Sequence, residues 1–150
     1  MTRLMTDNNM TPNRTRFTEI LIAANGIDPD AFQSWAFCPG MLFGSQDKWW
    51  GDHGSRDFPH EGIDLCLYKD TSGNLARLDE TTVIPVVHDG VVKAMFTDFL
   101  GQAVIIEHDG QIGEGGSYLS AYAHTTPRKE IKPGVIIKAG EIIGSIADTS

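Results

Sequence analysis

The chain has 150 residues, with twelve Lys and Arg against twenty Asp and Glu, which gives a net charge of −8 at pH 7. This length suits one hydrophobic core. The negative net charge makes the chain a poor candidate for a nucleic-acid-binding or anionic-membrane-binding protein, since both need a basic surface. No apolar run approaches the roughly 20 residues that a membrane-spanning helix needs. Two cysteines can form at most one bridge, so the chain is not a disulfide scaffold.

The first predicted element is a short helix. Apolar residues recur at three- to four-residue spacing from Phe17 to Ala24, and Asn25-Gly26 supplies a stop. Asp28-Pro29 is typical of a second helix start, with the aspartate as N-cap and the proline as first helical residue. We therefore expect residues 1–37 to form an arm with one or two short helices, followed by a β domain over residues 38–150.

From Gly40 onward, short β-branched runs alternate with Gly, Asp-Gly and Pro turns, which is typical of a β-sandwich or small barrel. The polar stretch 69–82 predicts a surface hairpin or loop. The predicted strands are 63–68, 83–87, 91–96, 103–107, 118–124, 135–137 and 142–146. The predicted fold class is mostly β.

A candidate metal site lies in His60-Glu-Gly-Ile-Asp64, because imidazole and carboxylate are both zinc ligands. In an extended strand, positions four apart are separated by roughly 13 Å. Both side chains can therefore bind one ion only where the backbone bends, and Gly62 permits a bend. The alternative is an exposed loop histidine and an aspartate in a turn.

A second candidate is His124, in Tyr122-Ala-His124, at the end of a predicted strand and before a polar loop that Pro127 closes. Side chains at strand ends are both held and exposed, as catalytic groups must be. His124 could equally cap its strand by a hydrogen bond to a loop carbonyl.

Together these motifs resemble those of the lysostaphin-like zinc endopeptidases of bacterial cell walls. His60-x-Gly-x-Asp64 is similar to the first metal motif of that family, and Tyr122-x-His124 to the motif with a catalytic histidine. Glycine-spaced strands follow in the same order, and the likeness runs from about residue 43 to the end. It implies a barrel-sandwich hybrid fold, a zinc ion bound by His60 and Asp64, and His124 as catalytic histidine. It also implies a peptidoglycan peptide as substrate.

The chain departs from the family at the third zinc ligand. In the family this ligand belongs to a His-x-His motif after the glycine-spaced strands, and here the histidines are 53, 60, 88, 108 and 124 only. We expect either a fragment without the C-terminal strand that carries the motif, or an inactive truncated copy. Cys66, which has the strand parity of Asp64, and His53, in a glycine-flanked loop, are alternative third ligands.

Three functions stay open at this point. One is a zinc endopeptidase, and the second is a non-catalytic wall-binding or regulatory module on the same fold. The third is a barrel-sandwich carrier domain, such as a phosphocarrier that pairs His108 with His124. The resemblance implies the cell envelope or the exterior, yet the first 16 residues lack the apolar core of an export signal. Release of a cytoplasmic lytic protein, or a segment upstream, would reconcile the two.

Overall fold

A computed structural model of the protein describes residues 14–110 and 115–148. Within these residues one α-helix precedes nine strands, so the mostly β fold is confirmed. No helix in the described ranges has the length and apolar character needed to cross a membrane. The elements are α1 (Arg16–Ala24), β1 (Phe32–Ala36), β2 (Leu67–Asp70), β3 (Leu75–Arg77), β4 (Val83–Pro85), β5 (Gly90–Thr97), β6 (Gln102–Asp109), β7 (Ser117–Pro127), β8 (Ile136–Ile137) and β9 (Ile142–Ile146).

Helix α1 forms where the apolar spacing predicts it. The Thr15 hydroxyl caps its first turn by accepting the Thr18 backbone N–H at 3.2 Å, and the apolar side bears the buried Leu21 and Ile22. Asn25 ends the helix. Its side chain bonds the backbone N–H and carbonyl of Val83, at 2.8 and 2.9 Å, and so ties α1 to β4.

The helix predicted from Asp28 does not form. Asp28 starts a turn, in which its carboxylate accepts the Asp30 backbone N–H at 2.9 Å, and strand β1 follows. The reason is tertiary, because Phe32 is buried and stacks on Tyr68 of β2 with ring centroids 5.2 Å apart. Packing against a neighbouring strand here outweighs the local helix-start signal.

A three-stranded antiparallel sheet has the order β1-β2-β3. The β2–β3 hairpin lies in the polar stretch predicted to hold one, and its turn is closed by the Asp70 carboxylate, which accepts the Ser72 and Asn74 backbone N–H groups at 2.9 Å each. The predicted strand 63–68 is correct only at its end, since β2 begins at Leu67 and residues 63–66 are irregular.

The second sheet has six antiparallel strands in the order β4-β9-β7-β6-β5-β8. Its strands cover the other six predicted ones, with ends that differ by a few residues. Alternate side chains of these strands point inward, which buries one apolar cluster. The members of this core are Ile84, Val86, Val92, Val104, Ile106, Ile131, Ile137 and Ile143.

Strand β7 is the longest strand and has two unequal edges. One edge pairs with β6 from Ser117 to Thr125. Along the other edge, β9 is the only described strand that pairs with β7, and it does so over Thr125–Pro127 alone. The Ala147 backbone N–H also donates to His124 O at 2.9 Å. Residues 117–123 therefore present a free edge within the described part of the chain, and this edge ends next to His124.

Candidate functional site

His60 and Asp64 are brought together as the metal hypothesis requires. The chain bends at Gly62, and His60 Nε2 lies 3.3 Å from Asp64 Oδ1. Both side chains are largely buried, with 13% and 20% of their surface exposed. Backbone hydrogen bonds fix both ends of the bend, since the N–H of His60 donates to Ser45 O at 2.8 Å and that of Asp64 to Met41 O at 2.9 Å.

The remote atoms of this pair are engaged as well. His60 Nδ1 lies 3.3 Å from the carbonyl oxygen of Leu42, and Trp49 Nε1–H donates to Asp64 Oδ2 at 2.7 Å. A carbonyl only accepts, so the contact with Leu42 places a proton on Nδ1. In the neutral ring that metal binding requires, Nε2 and Asp64 Oδ1 are two acceptors that face each other. A cation between them relieves that repulsion, so the pair fits two ligands of a metal ion.

The loop before His60 holds Trp49 in place. The Arg56 guanidinium donates to Gly40 O at 2.8 Å and lies over the Trp50 ring, 4.4 Å from its centroid. Gly40 itself has no room for a side chain, because a Cβ would lie 2.7 Å from Asp47 O and 2.8 Å from Trp49 N. This loop is therefore packed against itself closely enough to position the indole at Asp64.

His124 sits in a β-bulge of β7. Ala123 and His124 together stand opposite the single residue Ala103 of β6, since the register shifts between Gln102 and Val104. His124 has φ = 58°, in the left-handed region, which costs a residue other than glycine of order 1–3 kcal/mol. Such backbone strain is commonly kept where it aims a functional side chain.

Asp98, which sequence reasoning did not single out, lies against His124. Its Oδ2 accepts the His124 backbone N–H at 2.6 Å, and its Oδ1 lies 3.1 Å from His124 Nδ1. Its Oδ1 also accepts the backbone N–H groups of Leu100 and Gly101, at 2.9 and 2.7 Å. Burial raises the pKa of Asp98, but these hydrogen bonds outweigh it and hold that pKa below its usual value of 3.8. The available signal was Asp-x-x-Gly between two strands, which is common to many turns.

The two halves of the site are connected. The ring of Trp50 lies between that of Trp49, at 6.2 Å between centroids, and that of Phe99, at 6.4 Å. Phe99 directly follows Asp98, so the loop at the His60–Asp64 pair touches the turn at His124. An apolar cavity of about 380 Å³ has Ile63, next to Asp64, and Ala123, next to His124, among its lining residues.

Neither alternative third ligand joins the pair. Among the described residues, no group of three His, Cys, Asp or Glu side chains is placed to hold a metal ion. Burial is the largest effect on the Cys66 thiol and raises its pKa, which disfavours the thiolate that binds zinc. His53 lies in an exposed loop, and it is not assembled with His60 and Asp64 either.

His108 does not suit a phosphocarrier. Its ring is buried, with Nδ1 2.8 Å from Asp89 O and Nε2 2.7 Å from the Ser120 hydroxyl. Both nitrogens are thus engaged, and neither is available to take up a phosphoryl group. Its contacts indicate a structural role.

The fold and the site define a class of protein. It is mostly β, with a histidine–carboxylate pair and a second histidine that contacts another carboxylate. Comparison with protein families identifies it further: the model for Peptidase family M23 matches residues 59–150. The chain belongs to this family, and the resemblance to lysostaphin-like peptidases is confirmed. No curated protein and no solved structure matched the chain.

Proposed function

We propose that the protein is a zinc-dependent endopeptidase that cleaves peptide bonds in the cross-bridges or stems of peptidoglycan, in the cell envelope or outside the cell. The observation that carries this proposal is the His60–Asp64 pair, in which His60 Nε2 and Asp64 Oδ1 face each other at 3.3 Å while Leu42 O and Trp49 hold their remote atoms. Family membership supports a peptidase. The choice of wall peptides rests on the motif resemblance.

In this mechanism His60 and Asp64 hold the metal. Zinc held by these residues would supply a water of lowered pKa and polarisation of the scissile carbonyl. His124 accepts a proton from the attacking water and later returns it to the leaving amine, the two roles of a general base and acid.

Among the described residues, no third His, Cys, Asp or Glu joins His60 and Asp64 in a metal-binding group. The free edge of β7 ends next to His124, and one further strand added along it would place a ligand close to the catalytic histidine. We propose that edge as the position of the missing ligand.

The test measures bound zinc and turnover on the same samples. In a zinc titration we expect wild type to bind the metal, H60A and D64A to bind it far more weakly, and H124A to bind it as wild type does but lose cleavage of purified sacculi. His53→Ala, in the exposed loop, is the matched control and should behave as wild type. Zinc bound by H60A as well as by wild type would refute the metal assignment.

A non-catalytic wall-binding module is the second candidate, favoured by the lack of a third ligand among the described residues. It predicts that the full chain sediments with purified sacculi and releases no soluble peptide. It also predicts that H60A and D64A sediment equally well, because binding would then not depend on the metal.

A further inference from the structure

We infer that Asp98 is the positioning residue of His124: its carboxylate fixes both the backbone and the ring tautomer of the histidine, which leaves Nε2 free to take a proton. The inference rests on the proposed function for its catalytic consequence. Its structural part rests only on the contacts between Asp98 and His124.

The backbone step involves one carboxylate oxygen. Asp98 Oδ2 accepts the backbone N–H of His124 at 2.6 Å, in the bulge where β7 departs from its regular ladder with β6. A buried N–H released from a ladder needs a new acceptor. Asp98 supplies it, and thereby stabilises the left-handed conformation of His124.

The ring step involves the other oxygen. His124 Nδ1 is buried, and no hydrogen bond of good geometry satisfies it within the described residues. The polar atom that approaches it is Asp98 Oδ1, at 3.1 Å and off the ideal direction of the N–H. An ionised carboxylate only accepts, so in the neutral ring it favours the tautomer with the proton on Nδ1. The low pKa of Asp98 keeps that carboxylate ionised at neutral pH.

The carboxylate is itself held rigidly. Oδ1 accepts the backbone N–H groups of Leu100 and Gly101, and Gly101 is packed so closely that a Cβ would lie 2.7 Å from Thr125 O. The turn after β5 is thus fixed against the strand that bears His124. A charged group anchored by backbone amides can orient an imidazole without moving itself.

The chemical consequence follows from the tautomer. With the proton on Nδ1, Nε2 has a lone pair and can accept a proton from water. The imidazolium so formed is stabilised by the carboxylate at Nδ1, and the proton leaves again from Nε2 to the departing amine. This is the logic by which a third group orients a catalytic base.

Long-range 1H–15N correlation spectra of the 15N-labelled full chain at neutral pH test the inference without requiring activity. We expect wild-type His124 to have its proton on Nδ1. In Asp98→Ala and Asp98→Ser the ring should lose this preference, with a rise in the Nε2–H form. The serine variant preserves a hydroxyl acceptor for the turn amides, so it serves where the alanine variant does not fold. His108, whose Nδ1 faces a carbonyl, is the internal control and should not change.

A proton on Nε2 of wild-type His124, or an unchanged tautomer in a folded Asp98 variant, would overturn the inference. Where the chain cleaves sacculi, we expect kcat of Asp98→Ser to fall by roughly 10²-fold or more, with KM and retained zinc unchanged. A tautomer shift in a chain that neither binds zinc nor cleaves would uphold the positioning role and refute the proposed function. If the chain binds zinc and cleaves sacculi but the Asp98 substitutions do not change the His124 tautomer, the proposed function is upheld and the positioning role is refuted.

Discussion

At the scale of single residues, the geometry of the His60–Asp64 pair depends on a third side chain, Trp49. Its indole N–H donates to the Asp64 oxygen that does not face His60. Hydrogen bonds of this kind orient a metal ligand, and their loss typically costs 10–100-fold in affinity. We therefore expect Trp49→Phe to weaken zinc binding by about 10–100-fold, measured by competition with a chelating dye.

Trp50→Phe is the matched control for that measurement, because its ring packs against Trp49 while no hydrogen bond joins it to Asp64. We expect the zinc affinity of Trp50→Phe to lie within about threefold of wild type, since this variant keeps the Trp49 indole N–H that donates to Asp64. Equal affinities for all three proteins would show that the indole N–H does not orient the ligand.

Asp98 also makes stability depend on pH. Its pKa is lowered in the folded protein, because its hydrogen bonds to the ionised form outweigh the effect of burial. The stabilisation is therefore fully present above the unfolded value near 3.8 and is lost as the pH falls through the lower, folded value. Urea denaturation between pH 6 and pH 2.5 should show that wild type has a larger free energy of unfolding than Asp98→Ser, and that this difference narrows below about pH 4. A difference in unfolding free energy that stays constant with pH would contradict this role of the Asp98 carboxylate.

At the scale of elements, α1 is attached to the six-stranded sheet through Asn25. The side chain of Asn25 makes hydrogen bonds to Leu21 O and to the N–H and carbonyl of Val83. Since a hydrogen bond contributes about 1 kcal/mol and unpaired backbone groups cost more, we expect Asn25→Ala to lower the free energy of unfolding by about 2 kcal/mol.

The control for this change is Asn74→Ala, whose amide bonds the exposed Asp70 carboxylate in the β2–β3 turn. It should cost well under about 1 kcal/mol, as exposed polar contacts do. Chemical denaturation of the two variants compares them directly, and similar losses would mean that Asn25 does not anchor the helix.

At the scale of the whole molecule, the candidate site is built from more of the chain than the family match covers. That match begins at residue 59, whereas Met41, Leu42, Ser45 and Trp49 support the His60–Asp64 pair. Helix α1 and β1 also pack on the described β strands, by the Asn25 contacts and by pairing with β2. The boundary between an arm over 1–37 and a domain over 38–150 stays a prediction.

Arg56 tests whether the preceding loop supports the site. It bonds Gly40 O and Asp47 O and covers the Trp50 ring. In Arg56→Ala we expect faster amide hydrogen exchange over residues 40–50 and a several-fold weaker zinc affinity, because a loop with fewer buried contacts opens more often. Lys48→Ala, which removes only an exposed contact with Asp52, should change neither quantity.

Sequence alone determined those features in which the local signals agree. Helix α1 has apolar periodicity and a stop, and six strands combine β-branched runs with glycine turns. The need for a bend between His60 and Asp64 also followed from spacing alone, and the structure has that bend at Gly62. The family could be named from short motifs because a metal site demands particular residue types at particular distances.

Only the tertiary structure decided the rest. β1 formed in place of a helix because Phe32 stacks on a residue 36 positions later. The contact of Asp98 with His124, 26 residues later, depends on the fold of the turn after β5. The contact of Trp49 with Asp64, 15 residues later, depends on the fold of the loop before His60. Contacts between residues so far apart produce no periodic pattern in the sequence. They depend on how the strands pair, and the residues adjacent in sequence do not determine that pairing.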